Sequence, residues 1–327
     1  MHFTVPSKAF LSVKPLQTSD IPFLQQTDCL YSFDPRPLLD TCIGKHRYIV
    51  SFENSLCRSL SDKPIAVNQY ALRHTEPERN RLWILPMDGD PRPSLYQRML
   101  QQNCPTGIQS LWVAVPSRDA ERWADAHSLR INYRFDDYLR YNDKIAQKEA
   151  LGDLSPTWER IDPKTYAFDS REACYFKRAH GAGGYATFHA SDLDGAQWPS
   201  RKHPATWYKE TAVEGTPVSV QLLRDAMGRY CLFGYSEMKI IQKKQYAGAL
   251  LKPVTGLPGW MIDKIRIVLK QLDGLLCGYH GFFGLDLMVE NADFWVLEAN
   301  VRVTMATFAA LELNERQLDA LEFYRYP

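Results

Sequence analysis

The sequence predicts an α/β domain followed by a larger α+β region, and three observations lead there. Short apolar runs at residues 48–52 (YIVSF), 82–85 (LWIL) and 111–115 (LWVAV) read as buried strands between Pro- and Asp-rich turns. Helix-like stretches at 93–102 and at 119–127, the latter behind Ser117 as an N-cap, alternate with them and point to a partly parallel sheet. Beyond residue 173 strand patterns dominate, until residues 259–277 place Met261, Ile262, Ile265, Val268, Leu269, Leu272, Leu275 and Leu276 near helical spacing.

Composition excludes several classes. The chain has 327 residues, 45% hydrophobic and 24% charged, enough for two or three domains with a sizeable core. A net charge of +1 gives no global field toward nucleic acid or membrane. No apolar run approaches the ~18 residues of a membrane span, and the first residues lack a signal-peptide apolar core. Seven scattered cysteines without a C-x-x-C suggest free thiols, a reducing cytoplasm, and neither a zinc ribbon nor a disulfide framework. Absence of G-x-G-x-x-G argues against a dinucleotide fold.

Taken in order, residues 141–151 (YNDKIAQKEAL) read as a helix opening at Asn142 or Asp143. Pro156 starts an extended segment. A strand at 173–178 runs into His180 and the glycines Gly181, Gly183 and Gly184, and a strand at 185–189 follows. Residues 207–213, 218–223 and 230–235 read as strands, with turns at Gly215 and at 225–228. The long helix over 259–277 stops at Gly278. After it, residues 282–289 and 294–297 flank the polar Glu290-Asn291-Ala292-Asp293 as a β-hairpin, and 306–312 and 315–324 read as helices.

The hairpin carries the chemistry. Glu298 and Asn300 are two apart and face one side of an extended strand. Asp286 joins them if it pairs across from Glu298, which requires an odd loop, 291–293, or a bulge. Two carboxylates and an amide oxygen suit Mg²⁺, which takes few protein ligands and completes its shell with water and phosphate oxygens; a buried hairpin with one polar edge is the competing explanation. Lys177 precedes the glycine-rich turn, where backbone N–H groups and a lysine can wrap phosphate oxygens. A plain glycine-rich hairpin turn, and a solvated helix lysine for Lys144, are the structural alternatives. His180 and His189 are candidate bases, with a structural histidine as the alternative for each.

The succession Asp143-Lys144, Lys177 before glycines, Lys209-Glu210 leading to Glu214-Gly215, then Asp286 and Glu298-Ala-Asn300-Val-Arg302 resembles the ATP-grasp superfamily, over about residues 142–307. The resemblance implies an α/β N-terminal domain (1–140), a small ATP-grasp subdomain with the phosphate loop (141–212) and a C-terminal subdomain with the metal site (213–327), the two subdomains gripping ATP. It implies Lys144 and Lys177 on phosphates under a loop of Gly181, Gly183 and Gly184. It implies Lys209, Glu210, Thr211, Ala212, Val213 and Glu214 around the adenine hinge, and Asp286, Glu298 and Asn300 on Mg²⁺, with Mn²⁺ as an alternative. Arg302 and Lys177 would be catalytic, Arg302 holding the substrate carboxylate or the oxyanion. Two departures stand out: Thr216-Pro217-Val218 carries no ribose-binding acid, leaving Glu214 as a substitute, and Val301 replaces a proline. Residues 245–253 resemble a Y-x-G…P element of a subgroup that includes tyramine–glutamate ligases. The implied activity is an ADP-forming carboxylate–amine ligase acting through an acyl phosphate on small-molecule acid and amine substrates, without nucleic acid or membrane and with a homodimer allowed. Another phosphoryl transfer or carboxylation on the same fold, or a non-catalytic nucleotide-binding regulatory module, are the alternatives.

Overall fold

The computed structural model describes residues 11–17, 20–21, 29–31, 48–52, 81–85, 109–113, 116, 118–181, 187–193, 206–241 and 245–324. The helix expected at 93–102, the cap Ser117, and Gly183 and Gly184 lie outside them.

Five strands, β2 (Cys29–Tyr31), β3 (Tyr48–Phe52), β4 (Arg81–Leu85), β5 (Ser110–Val113) and β6 (Arg130–Ile131), form a parallel sheet in the order β4-β3-β2-β5-β6. Helix α1 (Arg118–Ala126) leads into β6 and buries Trp123. Tyr141 ends the next helix, α2 (Phe135–Tyr141). The helix expected to open at Asn142 or Asp143 is α3 (Lys144–Leu151), capped by Asp143, whose carboxylate accepts the Ile145 and Ala146 N–H groups.

A small antiparallel sheet follows, in the order β7-β10-β8-β9: β7 (Trp158–Ile161), β8 (Cys174–Arg178), β9 (Thr187–His189) and β10 (Trp207–Thr211). Its strands alternate. Cys174, Phe176 and Trp207 are buried in one cluster with Leu193, while Tyr208 on the other face meets Ile145 and Ala179.

The large sheet holds β11 (Thr216–Arg224), β12 (Tyr230–Ile241), β13 (Gln245–Lys252), β14 (Gly281–Glu290), β15 (Asp293–Asn300) and β16 (Leu321–Tyr324), in the order β15-β14-β11-β12-β13-β16. The first described strand of the chain, β1 (Leu11–Val13), pairs with β12 in parallel. Helix α4 (Gly259–Leu272) sets Met261, Ile265, Val268, Leu269 and Leu272 against Val218, Val220, Leu222, Phe283, Leu285 and Leu287 on one face. Helix α5 (Met305–Glu315) covers part of the other face, where Ala309, Ala310, Leu311 and Leu313 meet Phe233 and Phe282. A Cβ on Gly234 would come within 2.6 Å of the Ala310 Cβ, so this close approach needs glycine. Among the described residues the rest of that face carries no helix, and it becomes the floor of the site.

Three sequence expectations are corrected. The helix over 259–277 ends at Leu272, because Asp273 turns to Arg224 and Tyr230, Gly274 is a poor helix former, and Gly278 takes φ +83°. Residues 315–324 are not helical. After α5, residues 321–324 pair with β13, so tertiary pairing overrides local propensity. The strand expected over 230–235 runs on to Ile241.

Candidate functional site

The site is built on the open face of the large sheet. Cross-strand register brings Ser236, Ser219, Asp286 and Glu298 into one row across four strands. In β15 the residues Phe294 and Val296 face the core, so strict alternation would send Glu298 inward as well. A bulge at the Asp286/Leu287 step of the β14–β15 register reverses the parity. Leu297 is the extra residue, Ala299 returns to the core, and Glu298 and Asn300 turn to the open face. The turn itself is two residues, with Asn291 at φ +55°, so of the two pairings the sequence allowed it is the bulge that sets Asp286 opposite Glu298.

Asp286 accepts from the Ser219 hydroxyl at 2.8 Å. Ser219 in turn accepts from Gln221, whose amide oxygen takes the hydroxyls of Thr304 and Thr307 at the start of α5. The Asn300 amide nitrogen donates to Asp286 at 2.9 Å and to Glu298 at 3.2 Å, and its oxygen accepts from Arg302 at 2.9 Å. Arg302 also donates to the Val303 carbonyl. Burial and the Glu298 charge push Asp286 up to about 6. Burial also works against ionised Glu298, but Lys144, Lys177 and Arg302 outweigh it and hold Glu298 at about 2. The positive end of the Asn300 amide therefore stands between two crowded carboxylates. Rotating that amide by half a turn presents its oxygen beside theirs. Three hard oxygen donors fit Mg²⁺ or Mn²⁺.

The opposite wall is cationic. Lys144, at the first position of α3, lies 2.5 Å from Glu298. Lys177 on β8 reaches across its sheet to Glu210 on β10, also at 2.5 Å. Glu210 shares its second oxygen with Lys148 of α3 at 2.5 Å, and both of these residues are 1% exposed. Polar side chains of α3 and of the turn before it also finish the edge of β15. The Gln147 amide exchanges two hydrogen bonds with Ala299, at 2.7 and 2.9 Å. The Asn142 amide does the same with Val301, at 3.1 and 2.9 Å.

Between the walls lies a cavity of about 770 Å³. Lys144, Lys177, Glu210, Asp286, Glu298, Asn300, Arg302 and Thr304 line its polar end, and Val213, Pro217, Met238, Ile240, Met288 and Leu297 its apolar end. Thr211 and Gly215 also border it. Lys209 points to the outer face, where it meets Glu159, Glu172 and the Tyr166 hydroxyl. Ala212 is fixed through its N–H to Ala173, and Glu214 and Gly181 are exposed and outside the cavity lining. The His180 ring meets the Leu139 carbonyl, and His189 caps Ser191. Sequence reasoning missed Lys148, Gln147, Ser219 and Ser236. The Lys144–Lys148 spacing, one helical turn, was the available sign for the first of these.

The sequence model of a family described as ATP-grasp domain matches residues 141–306. No curated protein matches the chain in sequence. Among solved structures, an L-amino acid ligase from Bacillus licheniformis superposes with TM-score 0.52 at 12% identity, over 91% of this chain and 68% of its own. A biotin carboxylase–β-γ-ATP complex from Campylobacter jejuni gives 0.57 at 14%, over 88% and 67%. An N5-carboxyaminoimidazole synthase from Aspergillus clavatus, in complex with ADP and its ribonucleotide, gives 0.53 at 10%, over 86% and 72%. At such identities the likeness is one of fold.

Proposed function

Since the chain belongs to the ATP-grasp family, we propose that it is an ATP-dependent, ADP-forming ligase that joins a small carboxylic acid to an amine. The observation that carries this is the cavity itself. One end is apolar and bordered by the β10–β11 connection, and the other brings Lys144 and Lys177 to face Asp286, Glu298 and Asn300. An adenine suits the first end, near Thr211, Val213, Met238 and Met288, and a metal-bound triphosphate suits the second.

In this reading Lys144 and Lys177 hold phosphate oxygens, while Asp286, Glu298 and Asn300 hold Mg²⁺. The ion, when bound, offsets charge on the transferring phosphoryl group. The substrate carboxylate oxygen forms a bond to the terminal phosphorus as the bond to ADP breaks. The amine then attacks the acyl carbon, loses a proton, and inorganic phosphate leaves. Arg302 can grip the carboxylate through two N–H groups, which a lysine cannot do. Positioning of this kind can supply about 7–11 kcal/mol of the barrier.

The test is product analysis with a panel of acids and amines. ADP and phosphate formed only when both are present support the ligase. ADP formation driven by bicarbonate would instead assign a carboxylation, and ATP binding without turnover a regulatory module. Glu298→Ala should lower turnover at least ~10³-fold, the scale of comparable charge-stabilising groups. A near-normal rate at saturating Mg²⁺ would remove Glu298 from the metal site.

A further inference from the structure

Lys148 is buried at the junction of the three elements that carry the site. Its ammonium lies 2.5 Å from Glu210 on β10 and donates to the Val296 carbonyl on β15 at 3.2 Å, while its own helix begins with Lys144. It is 1% exposed and is not among the described residues that border the cavity. The buried group it touches, Glu210, is the one that holds Lys177. An ammonium this deeply buried is expensive and persists only when paired. Burial does push Lys148 down to about 8, against the pull of Glu210.

The charge count explains the arrangement. With Lys148 present, one carboxylate is shared by two ammonium groups and the cluster carries one positive charge in excess. Lys177, 12% exposed and on the cavity wall, is where that excess can reach a ligand. Without Lys148, Glu210 and Lys177 form a closed neutral pair. Moving Lys177 toward a phosphate would then strand a buried carboxylate, a far costlier step.

We propose that Lys148 is a positioning residue for Lys177: it keeps Glu210 neutralised from the inner side, so that Lys177 can exchange Glu210 for a phosphate of the nucleotide. This rests on the nucleotide reading of the cavity, and the experiment separates the two.

The experiment is calorimetric titration of the full chain with a non-hydrolysable ATP analogue plus Mg²⁺, and with adenosine, across wild type, Lys148→Met, Lys177→Met and the double variant. Lys148→Met should weaken the ATP analogue about tenfold, within the range of coupling in one ion-pair network, and leave adenosine within about twofold. In the Lys177→Met background the same change should alter ATP-analogue affinity by less than about twofold. Lys148→Gln, which keeps hydrogen-bond donors but no charge, should behave like Lys148→Met, and it carries the test if the methionine variant does not fold. Equal losses for adenosine and the ATP analogue would reduce Lys148 to a structural residue and overturn the proposal. Equal losses with and without Lys177 would overturn it as well. An ATP analogue that binds wild type and Lys148→Met alike overturns it alone, whereas a wild-type chain that binds no ATP analogue overturns the nucleotide reading and this proposal together.

Discussion

Asp286 and Glu298 are neighbours in register but not in ionisation. Glu298 has Lys144 at 2.5 Å and sits near 2, whereas Asp286, buried beside the Glu298 charge, sits near 6. In the metal-free chain this raised value means that the folded state holds the proton more tightly than the unfolded chain. The group's contribution to stability is then full below its ordinary value of 3.8 and lost as pH rises through about 6. Metal binding has the opposite sign, because a ligand carboxylate must be ionised. Mn²⁺ affinity should be flat above about pH 7 and fall by about tenfold per unit below pH 6. Titrations at pH 5 and pH 7 that give equal affinity would take Asp286 out of the coordination shell. The pairing of these two carboxylates was legible in the sequence, because apolar runs around a polar turn limit the registers of a hairpin. Their inequality was not legible, because it depends on Lys144 and Lys177 arriving from separate parts of the chain.

At the scale of elements, α3 and the turn before it do the work of a missing edge strand. β15 is the outermost strand of its sheet, and its backbone would otherwise face away unpaired. Gln147 and Asn142 supply carboxamides that imitate peptide groups at the alternate residues Ala299 and Val301. Gln147→Ala removes the partner of the Ala299 N–H and of the Ala299 and Tyr141 carbonyls, at about 1–3 kcal/mol for each group left unsatisfied. The variant should therefore lose at least about 3 kcal/mol in urea unfolding, and a loss below about 1 kcal/mol would show that the edge is satisfied in another way. Sequence patterning located this helix but could not foresee its orientation. Gln147 and Lys148 are polar and lie on the buried side, so apolar periodicity points elsewhere. The strand at Leu321–Tyr324 was hidden for a similar reason: four residues with one acid carry no signal until β13 is in place.

At the scale of the whole molecule, Lys144 and Lys177, which line the cavity, are each paired with a carboxylate of the protein. Lys144 is paired with Glu298 and Lys177 with Glu210, so each ligand alone meets an occupied partner. On the proposed function, Mg²⁺ alone must displace the Lys144 ammonium from Glu298, and ATP alone must bring its triphosphate up to Asp286 and Glu298 without a cation between them. Together they would relieve both conflicts, the metal taking the carboxylates and the released lysine a phosphate. Any ligand bound only by the folded state adds stability as RT ln(1 + [L]/Kd), about 2.7 kcal/mol at a hundredfold excess over Kd, and several degrees in Tm follow. Thermal unfolding with neither ligand, with each, and with both should give a joint shift well above the sum of the separate ones. Lys144→Met breaks this interdependence from one side: Glu298 is then open, Mg²⁺ alone should raise Tm more than it does in wild type, and the added shift from ATP should shrink. Additive shifts in the wild type, or a Lys144→Met chain that responds to Mg²⁺ no more than its parent, would mean that the Lys144–Glu298 pair is not the contact that nucleotide and metal divide between them.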